Sequence, residues 1–387
     1  MFFEKTNIAF ALSNTPTEAA IPYGTVNAVV KDAATGKSYV GGSFSYVGNY
    51  TGSGVPTSTT NGTAVATYPK VNGSVITVIS DGSSGWYIGG AFTKVGGISM
   101  PGLAHITSDG VLDSSWSPQV SGGFSAAAAL LLDSTTLYVG GSFTSIGGQT
   151  RNNLAAISTT TALATSWNPN VNNIVHSLVK NGTTLYVGGE FTQVGGSTTR
   201  NGGAAYSTTT GSLDSSWNPN MSGGMGSIEV MLLDGSNMYM GGSFTSIGGQ
   251  TLSNLARINL TSGAADAGWS PNPNQKVLAL AMVTGGYAGL FVGGEFASIS
   301  GGTQHGIARI DTSNGTSDVS LSEAVGHDRK ITSLIFSGGK LYIGGSFTSV
   351  LGLTQENAAG VDTSNGDRKS TRLNSSHGTL SRMPSSA

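Results

Sequence analysis

The chain has 387 residues, only 10% of them charged, and 18 Lys and Arg against 20 Asp and Glu leave a formal net charge of −2. Ordinary soluble domains carry roughly 25% charged residues; here 59 glycines and many Ser, Thr and Asn take the polar positions instead. Without a basic stripe the surface excludes nucleic-acid binding by counterion displacement, and the lack of cysteine excludes disulfides, thiolate metal sites and cysteine nucleophiles.

Residues 1–23 read as an N-terminal segment. Their apolar stretch, Ile8 to Leu12, is too short for a signal-peptide core, and no run in the chain reaches the roughly 18 apolar residues of a membrane helix. Residues 24–366 carry seven copies of Gly-Gly-x-Phe, beginning at Gly41, Gly89, Gly140, Gly188, Gly241, Gly293 and Gly344, in steps of 48, 51, 48, 53, 52 and 51 residues. A period of this size, carried by strand-like sequence, predicts radially repeated β-sheets.

The fourth repeat predicts four strands in order. Ile174 to Val179 is the first, Lys180-Asn181-Gly182 the hairpin turn, and Thr184 to Phe191 the second strand, with Leu185, Val187, Gly189 and Phe191 on one face and Tyr186, Gly188 and Glu190 on the other. Ala204 to Tyr206 begins a third strand, Thr209-Thr210-Gly211 turns the chain, and Leu213 to Trp217 forms a fourth that Asn218-Pro219-Asn220 ends. Glycine pairs let a strand bulge or a neighbouring backbone approach. Tyr138, Tyr186, Tyr239, Phe291 and Tyr342, with the recurring Trp116, Trp167, Trp217 and Trp269, are expected to fill the space between repeats.

The outer repeats depart from this pattern. The first places its third strand near Thr63 to Tyr68, the sixth has Asp318 to Val325 where others have tryptophan, and the seventh stops after Val361-Asp362. Asn7 to Leu12 is a candidate for the missing closing strand. Residues 367–387 change composition abruptly, and Asp367 to His377 and Ser381 to Ala387 resemble the two flanks of a translated sequencing-library adapter. They are read as not native, so the gene is expected to continue past Gly366. Setting aside that tail's four basic residues and Asp367, 14 Lys and Arg face 19 Asp and Glu, a net charge of −5. The predicted fold is all-β: a seven-bladed β-propeller of four-stranded antiparallel blades, the last incomplete.

The string Leu-Tyr-Val-Gly-Gly-x-Phe-Thr-x-Ile/Val-Gly-Gly (Leu137 to Gly148, Leu185 to Gly196), followed by Asn-Leu-Ala (Asn153 to Ala155, Asn254 to Ala256) and Trp-x-Pro, resembles the delta-60 repeat family of β-propellers. More distantly it is similar to kelch propellers and to fungal cortical proteins that mark bud sites. The resemblance implies a propeller, often on secreted or surface proteins, without a shared catalytic residue set.

No catalytic motif stands out. His105, His176, His305 and His327 lack paired metal-ligand spacing, so no metal site or cofactor is expected. Asp311 to Gly315 is read as a turn held by Asx chemistry rather than a calcium loop. Because strands alternate in direction, the connection after the second strand and the connection between blades share one face. That long-loop face carries Gln149, Arg151, Asn152, Arg200, Asn201, Gln250, Gln304, His305 and Gln355, amide and guanidinium groups suited to a glycan or a protein surface. Asn153 and Asn254 recur at one position and are read as structural turns. The expected function is a non-enzymatic, extracellular or cell-surface binding or structural module. One alternative is a carbohydrate-active enzyme using Glu190 and Glu295, which occupy the x of Gly-Gly-x-Phe; another is an architectural segment of a larger adhesin or virion protein.

Overall fold

The computed structural model describes residues 22–32, 37–47, 53–58, 68–124, 126–318, 330–351 and 357–363. Every named element among them is a strand, and seven antiparallel three-stranded sheets account for most of them. In chain order the sheets comprise Pro22–Asp32, Lys37–Val47 and Gly54–Ser58; Ser74–Ser80, Trp86–Ala91 and Leu103–Ile106; Ala126–Asp133, Thr136–Ser142 and Leu154–Ser158; and Val175–Asn181, Thr184–Gly189 and Gly203–Ser207. The fifth to seventh comprise Ser227–Asp234, Asn237–Ser243 and Leu255–Asn259; Val277–Val283, Gly289–Gly294 and Ile307–Ile310; and Lys330–Ser337, Lys340–Ser346 and Ala358–Asp362. The second strand of each lies in the middle.

The first strand of each sheet touches the first strand of the next, and that of the seventh touches that of the first. The apolar core is correspondingly divided among the gaps between sheets. Tyr138, Leu154 and Ala156 of sheet 3 pack with Val175, Leu185, Val187 and Tyr206 of sheet 4 in one cluster, and Tyr186 and Ala205 of sheet 4 pack with Ile228, Met238 and Met240 of sheet 5 in another. The alternation expected along Thr184–Gly189 thus sends its two faces into two different cores.

The two glycines of each pair serve different purposes. A Cβ on the first would strike a side chain of the following sheet: Gly188 that of Ile228, Gly293 that of Ile331, and Gly344 that of Val26 in the first sheet, at 2.7, 2.6 and 2.7 Å. A Cβ on the second would lie well under 3.0 Å from a carbonyl oxygen beside its own first strand, Ala126 O for Gly141 and Ser227 O for Gly242. That carbonyl is brought inward by a bulge. The first strand skips one residue opposite the glycine pair, so Val175 pairs Gly189 and Ser177 pairs Gly188 with His176 between them, and Glu229 is skipped in the same way in sheet 5.

Two expectations are corrected. In repeats 2 to 6 the fourth strand shrinks to a single bridge, such as Tyr206 to Leu213 or Ile157 to Ala164. In repeat 4 the reason is local: Asp214 Oδ1 accepts the Ser216 and Trp217 N–H groups at 2.9 and 3.3 Å, turning the chain away after a single rung. The third strand of sheet 1 is Gly54–Ser58, where Gly54 pairs Gly41 just as Leu154 pairs Gly140, and Pro56 is tolerated there because this strand is an edge. The seventh sheet shows three strands, and residues 364–387, where a fourth would follow, lie outside the described residues, as do Asn7 to Leu12, Gln355 and His327.

The recurring asparagines are structural. Asn153 and Asn254 sit at φ 62° and Asn357 of repeat 7 at 63°, where repeats 2, 4 and 6 place Gly102, Gly202 and Gly306 at 73°, 73° and 72°. Asn254 Oδ1 accepts the Phe244 N–H at 3.2 Å, and its Nδ2 donates to Pro273 O at 2.7 Å. Asn254→Ala, losing both buried hydrogen bonds and the tolerance for positive φ, is expected to cost about 2 kcal/mol. Asn254→Gly keeps the backbone conformation and should recover a measurable part of that loss in urea unfolding.

Candidate functional site

The face carrying the longer connections is built, not loose. After the second strand come two-residue hairpins, such as Ser145–Ile146 with Gln149–Thr150 and Gln193–Val194 with Thr198–Thr199. The connection from the preceding sheet is stitched onto them by bridges Val71 to Val95, Ser121 to Ser145 and Ser222 to Ser246.

Most of the polar residues singled out on this face are engaged within it. Arg151 donates from Nε to Trp167 O at 3.0 Å and from Nη2 to Thr165 O at 2.6 Å. Arg200, buried, donates from Nη2 to Asp214 O and Ser215 O at 3.3 and 3.2 Å, and Gln304 from Nε2 to Asp318 O at 2.7 Å. All three clamp the connection leading to the next sheet. Asn152 and Asn201 donate to Asn170 and Asn220, both at 2.8 Å. Gln250 and His305 are half-buried, and Gln149 is exposed.

The tryptophans are engaged between sheets as well. Trp116, Trp167 and Trp269 donate from Nε1 to Ser158 O, Gly211 O and Asp311 O in the following repeat, at 3.1, 3.0 and 3.1 Å. Each ring also packs on the tyrosine of its own repeat, Tyr138 and Trp167 edge to face at 5.5 Å. Asp311 Oδ1 accepts the Ser313 N–H at 2.7 Å, the expected Asx turn.

Where the first strands begin, at the long-loop end, charged side chains gather along one arc. His176 Nε2 is 3.0 Å from Glu190 Oε1, and its Nδ1 is 3.7 Å from Glu229 Oε2 across the gap to sheet 5. Lys276 of the connection into sheet 6 lies 2.6 Å from Glu229 Oε1, and Lys330 of sheet 7 lies 2.6 Å from Glu295 Oε1. Burial pushes the Glu229 carboxyl up, but the neighbouring His176 and Lys276 outweigh it and hold the group below the usual carboxylate range. Glu190 and Glu295, the proposed acid/base pair, therefore have different partners on different sheets. On the opposite arc hydroxyls bridge the seams: Ser43 and Ser74 meet at 2.7 Å, and Thr332 Oγ1 donates to Val26 O at 2.5 Å.

A cleft of about 460 Å³ opens beside the charged arc, between the fifth and sixth sheets. Met225, Asn274, Gln275, Lys276 and Glu295 are among its walls. Met225 is 80% exposed, and Phe124, its counterpart in repeat 3, is 78% exposed. Both are presented by Gly-Gly loops fixed by a serine at the x of Gly-Gly-x-Phe, since Ser142 Oγ accepts the Phe124 N–H at 3.2 Å and Ser243 Oγ the Met225 N–H at 3.1 Å. Sequence reading passed over both residues; the signal was the Ser-Gly-Gly insertion at Ser121 and Ser222, which lengthens these two connections.

Residues 81–115, 136–155, 238–268 and 290–321 match the family model described as a domain of unknown function (DUF5122) beta-propeller. Among curated proteins none matches the sequence. Among solved structures, the WD40 beta propeller domain of Doa1 is similar with a TM-score of 0.55 at 10% identity, covering 84% of this chain and 92% of that one. The computationally designed Ika8 protein gives 0.51 at 12% identity, covering 87% and 96%. The extracellular domain of the one-component system BT4673 from B. thetaiotaomicron gives 0.53 at 13% identity, covering 88% of this chain and 39% of that one. With the repeated sheets and divided core, these likenesses make the chain a β-propeller. Among the described residues no helix is long and apolar enough to cross a membrane.

Proposed function

We propose that this chain is a seven-bladed propeller of the delta-60 repeat type, kelch-like in outline, that binds a protein or glycan outside the cell through its long-loop face. The ring of contacts among seven first strands supports the blade number, each sheet having three strands and the second to sixth a bridged edge as well. A surface rich in uncharged polar groups and the likeness to an extracellular domain favour the location. Binding is favoured over catalysis because Glu190 and Glu295 each pair with a separate partner, His176 and Lys330, on different sheets.

The observation that carries the reading is Met225. A large apolar side chain left 80% exposed on a hydrogen-bonded loop, beside a cleft lined with amides, Lys276 and Glu295, is a preformed apolar anchor with polar groups around it. Phage-displayed peptides and an immobilised glycan array provide the probes. Ligands retained by the chain are expected to bind about tenfold more weakly, or worse, to Met225→Ser and Lys276→Ala. Val111→Ser, an exposed apolar residue on the hairpin-turn face, should leave binding unchanged. Retention of no ligand, or ligands indifferent to Met225 and Lys276, would overturn the assignment.

A further inference from the structure

We infer that His176, Glu190 and Glu229 form a binding site for one divalent transition-metal ion at the seam between the fourth and fifth sheets. One imidazole nitrogen and one oxygen from each carboxylate lie within 4.8 Å of one another. They come from separate positions in the fold: His176 and Glu229 from bulges in two first strands, and Glu190 from the end of a second strand. A bulge re-aims the side chain it carries, and these two bulges turn an imidazole and a carboxylate toward the same point.

The geometry suits coordination. The 3.0 Å between His176 Nε2 and Glu190 Oε1 is the spacing of adjacent ligands on an ion with bonds of about 2.1 Å. The side chains of His176, Glu190 and Glu229 are 21%, 34% and 12% exposed, so the site is sheltered yet open to entry. Glu190, the most exposed, has the freedom to close the remaining distance.

Glu229 supplies an independent reason. Its Oε1 is buried and lacks a well-aligned hydrogen bond, although Lys276 Nζ stands 2.6 Å away. Ser227, beside this carboxylate and 1% exposed, likewise has its hydroxyl without a well-formed partner. With Lys276 held against Oε1, Glu229 turns Oε2 toward His176, 3.7 Å from its Nδ1, as the oxygen offered to a metal ion. The ammonium and the ion would thus use different oxygens. One nitrogen and two carboxylate oxygens favour Zn²⁺ or Mn²⁺ over Ca²⁺ or Mg²⁺, which prefer oxygen-only sets. Water would complete the shell.

Isothermal titration of the full chain with ZnCl₂ tests the site, with CaCl₂ as the comparison. One equivalent of Zn²⁺ is expected to bind with micromolar affinity, and Ca²⁺ at least tenfold more weakly. Glu190→Gln, at a side chain 34% exposed, should weaken Zn²⁺ about tenfold or more, and His176→Ala should weaken it further. Asp133→Asn, which alters a carboxylate paired with Lys180 at the opposite end of the sheets, should leave it unchanged. Failure of the unaltered chain to take up Zn²⁺ at millimolar concentration would overturn the inference. So would binding that Glu190→Gln and His176→Ala leave intact.

Discussion

Gly141→Ala is expected to destabilise the chain by about 3 kcal/mol, although it adds a single methyl group. That methyl would lie well under 3.0 Å from the Ala126 carbonyl oxygen, which a rotamer change cannot move. The carbonyl is fixed because the first strand bulges there, pairing Gly140 with Ala129 and Gly141 with Ala127. Relief therefore requires undoing the bulge. The first glycine of a pair meets a different obstacle. At Gly293 the nearest atom is Ile331 Cγ2 at 2.6 Å, a side-chain group with some freedom to rotate, so Gly293→Ala should cost less, about 1–2 kcal/mol.

Gly182→Ala separates these packing effects from backbone strain. Gly182 has φ +57° in a hairpin turn with nothing within 4 Å of its Cβ position, and its replacement should cost about 1 kcal/mol. Urea midpoints at constant m-value would rank the three. If Gly141→Ala proved no worse than Gly182→Ala, the second glycine would be present for its backbone freedom alone, and the bulge account would fail.

Such a ranking also explains how much of the fold was legible in the chain. The glycine pair recurs because each copy faces the same two obstacles, so period and strand alternation were readable without coordinates. The fourth strand was misjudged because Leu213 to Trp217 has strand-like residues, whereas its fate is decided by Asp214, whose carboxylate binds the Ser216 and Trp217 N–H groups. The candidate site was legible only in part. His176 and Glu190 stood out by residue type, but Glu229 did not, because it meets them only across a seam. Both His176 and Glu229 stand 12 residues before the first glycine of their pair, and that shared bulge position was the available clue. Arg151, Arg200 and Gln304 looked like ligand-binding groups because sequence cannot reveal that nearby carbonyls already occupy them.

The seams make the second large prediction. Trp269→Ala should cost about 3–5 kcal/mol, the range for emptying a large aromatic site. Trp269 is fully buried, its ring lies 5.1 Å from that of Tyr239, and the Arg257 guanidinium sits 5.7 Å from the ring centre. Trp269→Phe isolates one component. It retains most of the apolar contact but removes the Nε1 hydrogen bond to Asp311 O in the next repeat, and a further loss of about 1 kcal/mol is expected from that bond. Trp217 is equally buried, yet its Nε1 has no hydrogen-bond partner among the described residues. Trp217→Phe removes an unsatisfied donor as well as ring volume, so it should be the milder of the two. The reverse order in thermal unfolding would mean that the tryptophans hold neighbouring sheets by ring volume alone, with the hydrogen bonds across the seam contributing nothing.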